Sequence, residues 1–481
     1  MELTAAQRDR ACGAVLGTAI GDALGAGYEF GSAPLGPEGP RMIGGGLGGF
    51  APGEWTDDTS MAWCIAEVAA RGVDLHSEAG LTEVARNFRA WHDSRPPDIG
   101  IQTARVLGAV GAEPTGASMT AAAEALHERT GRSAGNGSLM RTAAVCLPAL
   151  DDPVAVAQAA RAVSALTHTD PDAGDACVLW SLAIRHAIVN GDSDMRVGLE
   201  ALPSTRRGRW AGLITEAETR APEHFTPNGW VVTAFQAAWS SIVHTPVPEA
   251  VPCRQFADAL AVAVGVGHDT DTVAAIAGAL LGARWGASAV PAAWRRISHG
   301  YPGITGERLV ELATLATGDA VRYGWPNVRR IDYSEPGSAM APVRHPDDDG
   351  VWLSGVGGLD HLPADVTAVV SLCLVGGEQV PAGLEHVVFR LIDSPDEADN
   401  PNLDFVVADA AQTVADLRAE GHVVLLHCVA AQHRTPTIAI AYAVLRGVPL
   451  DQATTRVRAV LPQARPNRAF AAALTRFRHP S

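Results

Sequence analysis

The chain contains no lysine: its 37 basic residues are all arginine, set against 53 acidic ones for a net charge of −16. That balance disfavours sequence-independent binding to a nucleic-acid backbone, so nucleic acid is not an expected partner. Anionic ligands remain possible where arginines, helix N-termini or bound cations supply a local positive field. Cysteine is sparse. The seven residues at 12, 64, 146, 177, 253, 373 and 428 form no CxxC pair and are odd in number, which excludes a disulfide framework. Long hydrophobic runs are missing too. The longest helical apolar run, 273–283, stops at Arg284, short of the ~18 residues a membrane span needs. The apolar stretch 14–20 is cut by Asp22, so no signal peptide is expected. These absences point to a cytoplasmic protein with no membrane partner.

What is present divides in two. A length of 481 residues allows more than one core. From residue 5 to about 325, alanine-rich segments carry apolar residues at three- and four-residue spacing between short Gly/Pro/Asp breaks. The clearest are 57–71, 79–92, 153–166, 174–190, 229–243, 254–266 and 272–285, and they imply an all-α domain over 1–332. Residues 333–350 are turn-rich with no apolar face and read as a linker. Beyond it, apolar or β-branched runs at 366–375, 386–392 and 422–426 lie near helical stretches such as 406–420. Strands alternating with helices imply a small α/β domain over 351–481 with a largely parallel central sheet.

Two acidic segments of the helical domain share a make-up: Thr56-Asp57-Asp58-Thr59 and His268-Asp269-Thr270-Asp271-Thr272, each just before a helix. One alone reads as a helix cap, since Thr and Asp satisfy orphan N–H groups at the positive dipole end. Two converging clusters would repel each other unless a cation sat among them, and oxygen ligands suit hard divalent ions, Mg²⁺ or Mn²⁺, plausibly as a pair. The run Gly44-Gly45-Gly46-Leu47-Gly48-Gly49 follows no strand and reads as a loop, not a dinucleotide fingerprint.

Taken in order, these segments resemble the ADP-ribosylglycohydrolases, which include the enzyme that reactivates dinitrogenase reductase. The matching motifs are Gly21-Asp22-Ala23-Leu24-Gly25 with Glu29-Phe30, then Gly53-Glu54-Trp55-Thr56-Asp57-Asp58-Thr59, then Gly135-Asn136-Gly137-Ser138-Leu139-Met140-Arg141 with Thr167-His168, then Gly229-Trp230, and last Gly267 to Thr272 leading into Ala274-Ala275-Ile276-Ala277-Gly278. The likeness spans about residues 8–320. It implies an all-helical fold holding two divalent cations through Thr56, Asp57, Asp58, Asp269, Asp271 and Thr272, with Asp57, Asp58 and Asp269 also counted as catalytic. It further implies positioning or proton transfer by Glu29, and a substrate site lined by Asp22, Ser133, Gly135, Asn136, Gly137 and His168. His268 stands where many members carry Gly. Cations of this kind would orient ribose hydroxyls, polarise water and stabilise charge as the anomeric bond breaks.

In the second domain, the apolar run 423–426 leads into His427-Cys428-Val429-Ala430-Ala431-Gln432-His433-Arg434-Thr435-Pro436-Thr437 and then a helical stretch. A strand, a loop and a helix N-terminus make an anion cradle. Loop N–H groups and Arg434 would hold a phosphate, and the same field would favour Cys428 as a thiolate nucleophile. A lone buried cysteine would ordinarily be structural; the flanking residues argue otherwise. The segment resembles the dual-specificity and tyrosine phosphatases, with their HCxxxxxR signature, over about 350–478. It departs at Ala431, where that family usually has Gly, and at His433, where many members have Ser. The resemblance implies that Thr435 helps the thiolate leave, and that an upstream Asp is the general acid. Asp393 is the first choice, Asp396 the second, and Asp404 reads as a solvated helix-start residue.

The combined expectation is a hydrolase that removes ADP-ribose from a modified protein or small molecule and, in a second domain, cleaves a phosphorylated substrate. Two alternatives stay open: a binding protein that recognises ADP-ribose or phosphate without turnover, and a phosphatase regulated by the helical domain.

Overall fold

The computed structural model describes residues 2–318, 322–335 and 338–477. The chain divides into two compact units, built chiefly from Gln7–Val290 with Trp294–Asp319, and from Ala320–Ser481.

The first unit is helical. Its helices run in the order α1 (Ala5–Gly25), α2 (Asp57–Ala70), α3 (Glu78–Asp93), α4 (Ile101–Ala109), α5 (Gly116–Thr130), α6 (Pro153–Ala165), α7 (Pro171–Asn190), α8 (Ser204–Thr219), α9 (Val231–Val243), α10 (Gln255–Gly265), α11 (Thr270–Trp285), α12 (Ala292–Arg295) and α13 (Gly306–Ala316). Local chemistry sets many of the ends. Asp152 accepts from the amides of Val154 and Ala155 and is followed by Pro153; Asp170 accepts from Asp172 N and is followed by Pro171. Thr115 and Ser118 form a reciprocal capping box at α5. At the other ends of α5 and α7, Gly131 and Gly191 take positive φ and close the helices.

A glycine stripe decides how the unit is centred. Gly13, Gly17, Gly21 and Gly25 recur every fourth residue along α1 and so share one face. A Cβ at Gly21 would lie 2.5 Å from the carbonyl carbon of Ala274, and one at Gly25 would lie 2.6 Å from Asp271 N. Opposite Gly17 and Gly13 stand Gly278 and Gly282 of α11, with Gly286 at its end. Backbone therefore meets backbone along the whole α1–α11 contact, both helices are buried over most of their length, and Asp22 of α1 is drawn against Asp271 of α11.

The second unit is a five-stranded mixed sheet in the order β3–β4–β7–β5–β6, after the small antiparallel pair β1 (His299–Gly300) and β2 (Ile304–Thr305) of the first unit. Its strands are β3 (Val343–His345), β4 (Asp348–Ser354), β5 (Ala368–Ser371), β6 (Glu385–Val388) and β7 (Val424–His427), and its helices α14 (Leu403–Ala419), α15 (Arg434–Leu445), α16 (Leu450–Val460) and α17 (Arg468–Arg476). All pairs are parallel except β3–β4. The central β5 and β7 are wholly buried and apolar, apart from Ser371 and His427 at their C-terminal ends.

The expected linker over 333–350 needs correction. It holds β3 and the start of β4, while residues 336 and 337 lie outside the described residues. The acidic run that reads as a solvated turn is anchored by tertiary partners: Asp348 Oδ2 accepts from Tyr442 Oη at 2.6 Å and lies 3.0 Å from Arg446 Nη1 and 3.2 Å from Arg418 Nε. Spacing along the chain cannot show partners supplied some 70 or more residues later. All seven cysteines are buried and unbridged, and no helix among the described residues is long and apolar enough to cross a membrane.

Candidate functional site

The acidic cluster of the first unit assembles at three helix ends: the C-terminal turns of α1, the first turn of α2 and the first turn of α11. Asp22 is fully buried, and both of its oxygens are engaged. Oδ1 accepts from Thr56 N at 2.9 Å, and Oδ2 from Thr59 N at 2.9 Å and Thr59 Oγ1 at 2.7 Å. It therefore clamps the start of α2 to α1, while its carboxylate also borders those of Asp58 and Asp271. Across the gap, Thr56 Oγ1 donates to Asp58 Oδ2 (3.1 Å) and Asp271 Oδ2 (3.4 Å), and Thr272 Oγ1 donates to Asp58 Oδ2 (3.4 Å). The two acidic motifs do converge.

The carboxylates form two groups that share Asp271. Ligand oxygens of Asp22, Asp58 and Asp271 lie within 4.8 Å of one another, as do those of Glu29, Asp269 and Asp271. Three of the cluster's buried oxygens, Asp58 Oδ1, Asp271 Oδ1 and Glu29 Oε2, have no hydrogen-bond partner. The electrostatics follow. Burial, then Asp98, Asp269, Asp57 and Asp22, push Glu29 up to about 8. Burial, then Asp98 and Asp22, push Asp57 up to about 7. Burial raises Asp22 to about 6 against its hydrogen bonds, and burial followed by the neighbouring carboxylates holds Asp58 and Asp271 well above the usual range. Without a cation the cluster is a nest of unmatched negative groups; an oxygen-only donor set with orphaned lone pairs fits one or two hard divalent ions. Asp57 stands outside both trios and accepts from Gly100 N at 3.3 Å.

The loops expected to line a substrate site gather beside this cluster. Asn136 Nδ2 donates to Asp269 Oδ2 at 2.7 Å and to Asn228 O at 3.1 Å. Asn228 Oδ1 also accepts from Asp269 N at 3.0 Å, so Asn136 holds the carboxylate of Asp269 and Asn228 its main chain. Gly135 and Gly137 pack on the imidazole of His168, where added Cβ atoms would sit 3.3 to 3.4 Å from ring atoms. His168 Nδ1 bonds Thr167 Oγ1 at 2.7 Å, and burial, then Arg141, hold the ring down at about 3, hence neutral. Ser133 brings its chain to the loop but spends its hydroxyl on His127 Nδ1 at 2.5 Å. His268 is exposed with φ 61, the left-handed region that favours glycine. Its carbonyl accepts from Phe30 N at 2.7 Å, beside Glu29. Asp98 and Asn228 were missed by sequence reasoning. Asn228 adjoins the Gly229-Trp230 motif, but Asp98 has only a Pro-Pro-Asp turn to announce it.

In the second unit, β7 ends in His427, the loop 428–433 follows, and α15 opens at Arg434. None of the amides of 429–433 donates to the main chain among the described residues, which leaves them for an anion. Arg434 is buried; Nη1 donates to Leu372 O and Leu391 O, both at 3.0 Å, which leaves Nε and the Nη2 edge as the fork for an oxyanion. Ala431 takes φ 50, so the loop keeps a glycine-like shape without glycine. Thr435 Oγ1 donates to Ser354 O at 3.3 Å, so the hydroxyl must turn to serve the Cys428 thiol. Burial holds His427 down at about 3; its Nε2 bonds Ser371 Oγ at 2.7 Å, and its Nδ1 lies 3.3 Å from Cys428 O. Asp393 meets the loop, with Oδ1 2.7 Å from His433 Nδ1 and Oδ2 3.4 Å from Arg434 Nη2. Asp396 does not: it caps a short helix through Ala398 N at 3.0 Å. Asp404 pairs with Arg476 at 2.7 Å.

Comparison with known proteins agrees with this division. The ADP-ribosylglycohydrolase family profile matches residues 3–323. ADP-ribosylarginine hydrolase Tri1 of Pseudomonas putida is 30% identical over 293 residues, 60% of this chain and 73% of that protein. ADP-ribosyl-[dinitrogen reductase] glycohydrolase of Rhodospirillum rubrum is 28% identical over 296 residues, 60% of this chain and 89% of that one. The C-terminal part is similar to Dual specificity protein phosphatase 1 of Arabidopsis thaliana, 28% identical over 103 residues, which are 21% of this chain and 52% of the plant protein.

Proposed function

This chain belongs to the ADP-ribosylglycohydrolase family, and from that premise we propose that its helical unit hydrolyses the glycosidic bond of an ADP-ribosylated protein or small molecule with two divalent cations, Mg²⁺ or Mn²⁺. The observation that carries this reading is the pair of carboxylate trios sharing Asp271, with buried oxygens left unpartnered. Bound there, the cations would orient the ribose hydroxyls and stabilise charge as the anomeric bond breaks. The chain's own residues do the rest. Asp22 holds the first turn of α2, Asn136 and Asn228 fix Asp269, and Asp58 and Asp271 present their free oxygens as ligands. Glu29, at the edge of the second trio, positions the substrate or moves a proton at the anomeric centre. The similarity to an ADP-ribosylarginine hydrolase, together with the acidic surroundings, supports an arginine-linked substrate, whose guanidinium suits that field. The test is a panel of arginine-linked, serine-linked and small-molecule ADP-ribosyl conjugates with and without chelator. Release of ADP-ribose that disappears with the chelator is expected; release that survives excess chelator contradicts the role given to the cations.

The C-terminal unit, in the same proposal, hydrolyses a phosphate ester through a Cys428 phosphothiol. The strand, loop and helix, the Nε–Nη2 edge of Arg434 and the likeness to a dual-specificity phosphatase support it. Asp393, which stands over the end of the loop, belongs to the proton-transfer side of the site; Asp396, spent as a cap, does not. Cys428→Ser is expected to abolish turnover of an aryl phosphate while inorganic phosphate still binds, because Arg434 and the loop amides remain.

A further inference from the structure

We propose that the proton given to the leaving oxygen in the C-terminal unit comes from the imidazole of His433, with Asp393 as the residue that orients it. The inference rests on the reading of Cys428 as a phosphate-ester nucleophile and departs from a lone aspartic acid as the donor.

The geometry around Asp393 points to it. One carboxylate oxygen faces His433 Nδ1 at 2.7 Å, and the other faces Arg434 Nη2 at 3.4 Å. Both oxygens are turned towards N–H groups of the loop, so neither is left to carry a proton out to a departing group. Of the other aspartates that the sequence offered, Asp396 is committed to Ala398 N and Asp404 to Arg476. His433 is differently placed. Its Nδ1 is fixed by Asp393, its Nε2 makes no hydrogen bond among the described residues, and its side chain is 28% exposed. It immediately precedes Arg434, whose Nε–Nη2 edge is read as the oxyanion fork, and it shares Asp393 with that arginine, which puts the ring at the C-terminal end of the anion loop. A carboxylate on one ring nitrogen that orients the other for proton transfer is the logic of the hydrolytic triads. It also accounts for a histidine at a position where related sequences often carry serine.

The step balances as follows. The Cys428 thiolate attacks phosphorus and forms the P–S bond; the P–O bond to the leaving group breaks, and its electron pair goes to that oxygen. The oxygen takes the Nε2 proton of the His433 imidazolium and departs as an alcohol or phenol. In the second half, neutral Nε2 accepts a proton from the water that attacks phosphorus, and the thiolate and inorganic phosphate leave.

The test uses the full chain and kcat/KM on aryl phosphates whose phenols grow steadily more basic. A parent chain that hydrolyses none of them overturns both this inference and the phosphatase reading. With an active parent, His433→Ala is expected to stay within a few-fold on the most acidic phenol and to fall about 10²–10⁴-fold on the most basic, with partial recovery on adding imidazole. His433→Asn preserves an N–H for Asp393 and guards against loop collapse, and retained competition by inorganic phosphate reports an intact cradle. A loss equal for all phenols, or no loss, overturns the inference. So does a steep leaving-group dependence in Asp393→Asn that His433→Asn lacks, which would return the donor role to Asp393.

Discussion

Replacing Gly17 with alanine tests whether the α1–α11 contact builds the acidic cluster. A Cβ there would overlap the carbonyl oxygen of Gly278 and sit 2.9 Å from its carbonyl carbon and 3.3 Å from Gly282 Cα. Carbon atoms in contact rest about 3.5–4.0 Å apart, so the helices must separate by roughly 0.5–1 Å. The obstacle is backbone and cannot rotate away. In an open helix the same change would gain up to about 1 kcal/mol of helix propensity; here overpacking outweighs it, for a net loss of about 1–3 kcal/mol. The same separation draws Asp22 from Thr56 and Thr59, whose bonds to it measure 2.7–2.9 Å, and moves it from Asp271. Thermal unfolding and Mn²⁺ titration read both effects: a lower Tm and metal affinity weakened at least tenfold. The control is Gly212→Ala in α8, where a Cβ meets nothing within 4 Å, and which should stabilise by about 0.4–1 kcal/mol. Parent-like Tm and Mn²⁺ affinity in Gly17→Ala would refute the reasoning.

His168 makes stability depend on acid. Its folded imidazole is held down at about 3, so the unfolded chain binds the extra proton; the contribution is complete above pH 6.5 and fades as pH falls towards 3, by about 2 kcal/mol at pH 5. Because the raised carboxyls of the acidic cluster change stability in the opposite sense over the same range, the readout from denaturant unfolding is the difference in unfolding free energy between the parent and His168→Gln, which should shift by about that amount, against the parent, from pH 7 to pH 5. A thiol alkylator is expected to stop aryl-phosphate turnover by labelling Cys428 and to spare ADP-ribose release, since burial pushes Cys146 and Cys373 up to about 12; peptide mapping of the modified chain checks this. Ala431→Gly relieves a positive φ of 50 and should keep phosphate binding while changing stability by less than about 1 kcal/mol, as measured by Tm and phosphate inhibition.

Helical periodicity located seven helices of the first unit to within three residues, for example 57–71, 174–190 and 272–285, which became Asp57–Ala70, Pro171–Asn190 and Thr270–Trp285. The acidic motifs were legible because the residues that make a cation site lie next to the helix starts that present them. The expected glycine departures were also informative, since His268 and Ala431 both take the left-handed conformation a glycine would supply. What escaped is what depends on distant partners. Asp22 reads as a substrate contact along the chain, and its clamp on Thr56 and Thr59 shows only once α1 and α2 are brought together. Asp348 looks like linker until Arg418, Arg446 and Tyr442 surround it. The four-residue glycine repeat of α1 was visible, but its meaning required a second helix carrying Gly278 and Gly282 opposite it.

The most direct test of the account is an anomalous-difference map of crystals soaked with Mn²⁺. It should show two peaks, one among Asp22, Asp58 and Asp271 and one among Glu29, Asp269 and Asp271, the groups whose oxygens lie within 4.8 Å of one another. In Asp271→Asn, which removes the shared carboxylate, both peaks should weaken together with ADP-ribose release. A parent map without manganese between residues 56–58 and 269–272, from a chain that still releases ADP-ribose, would contradict it.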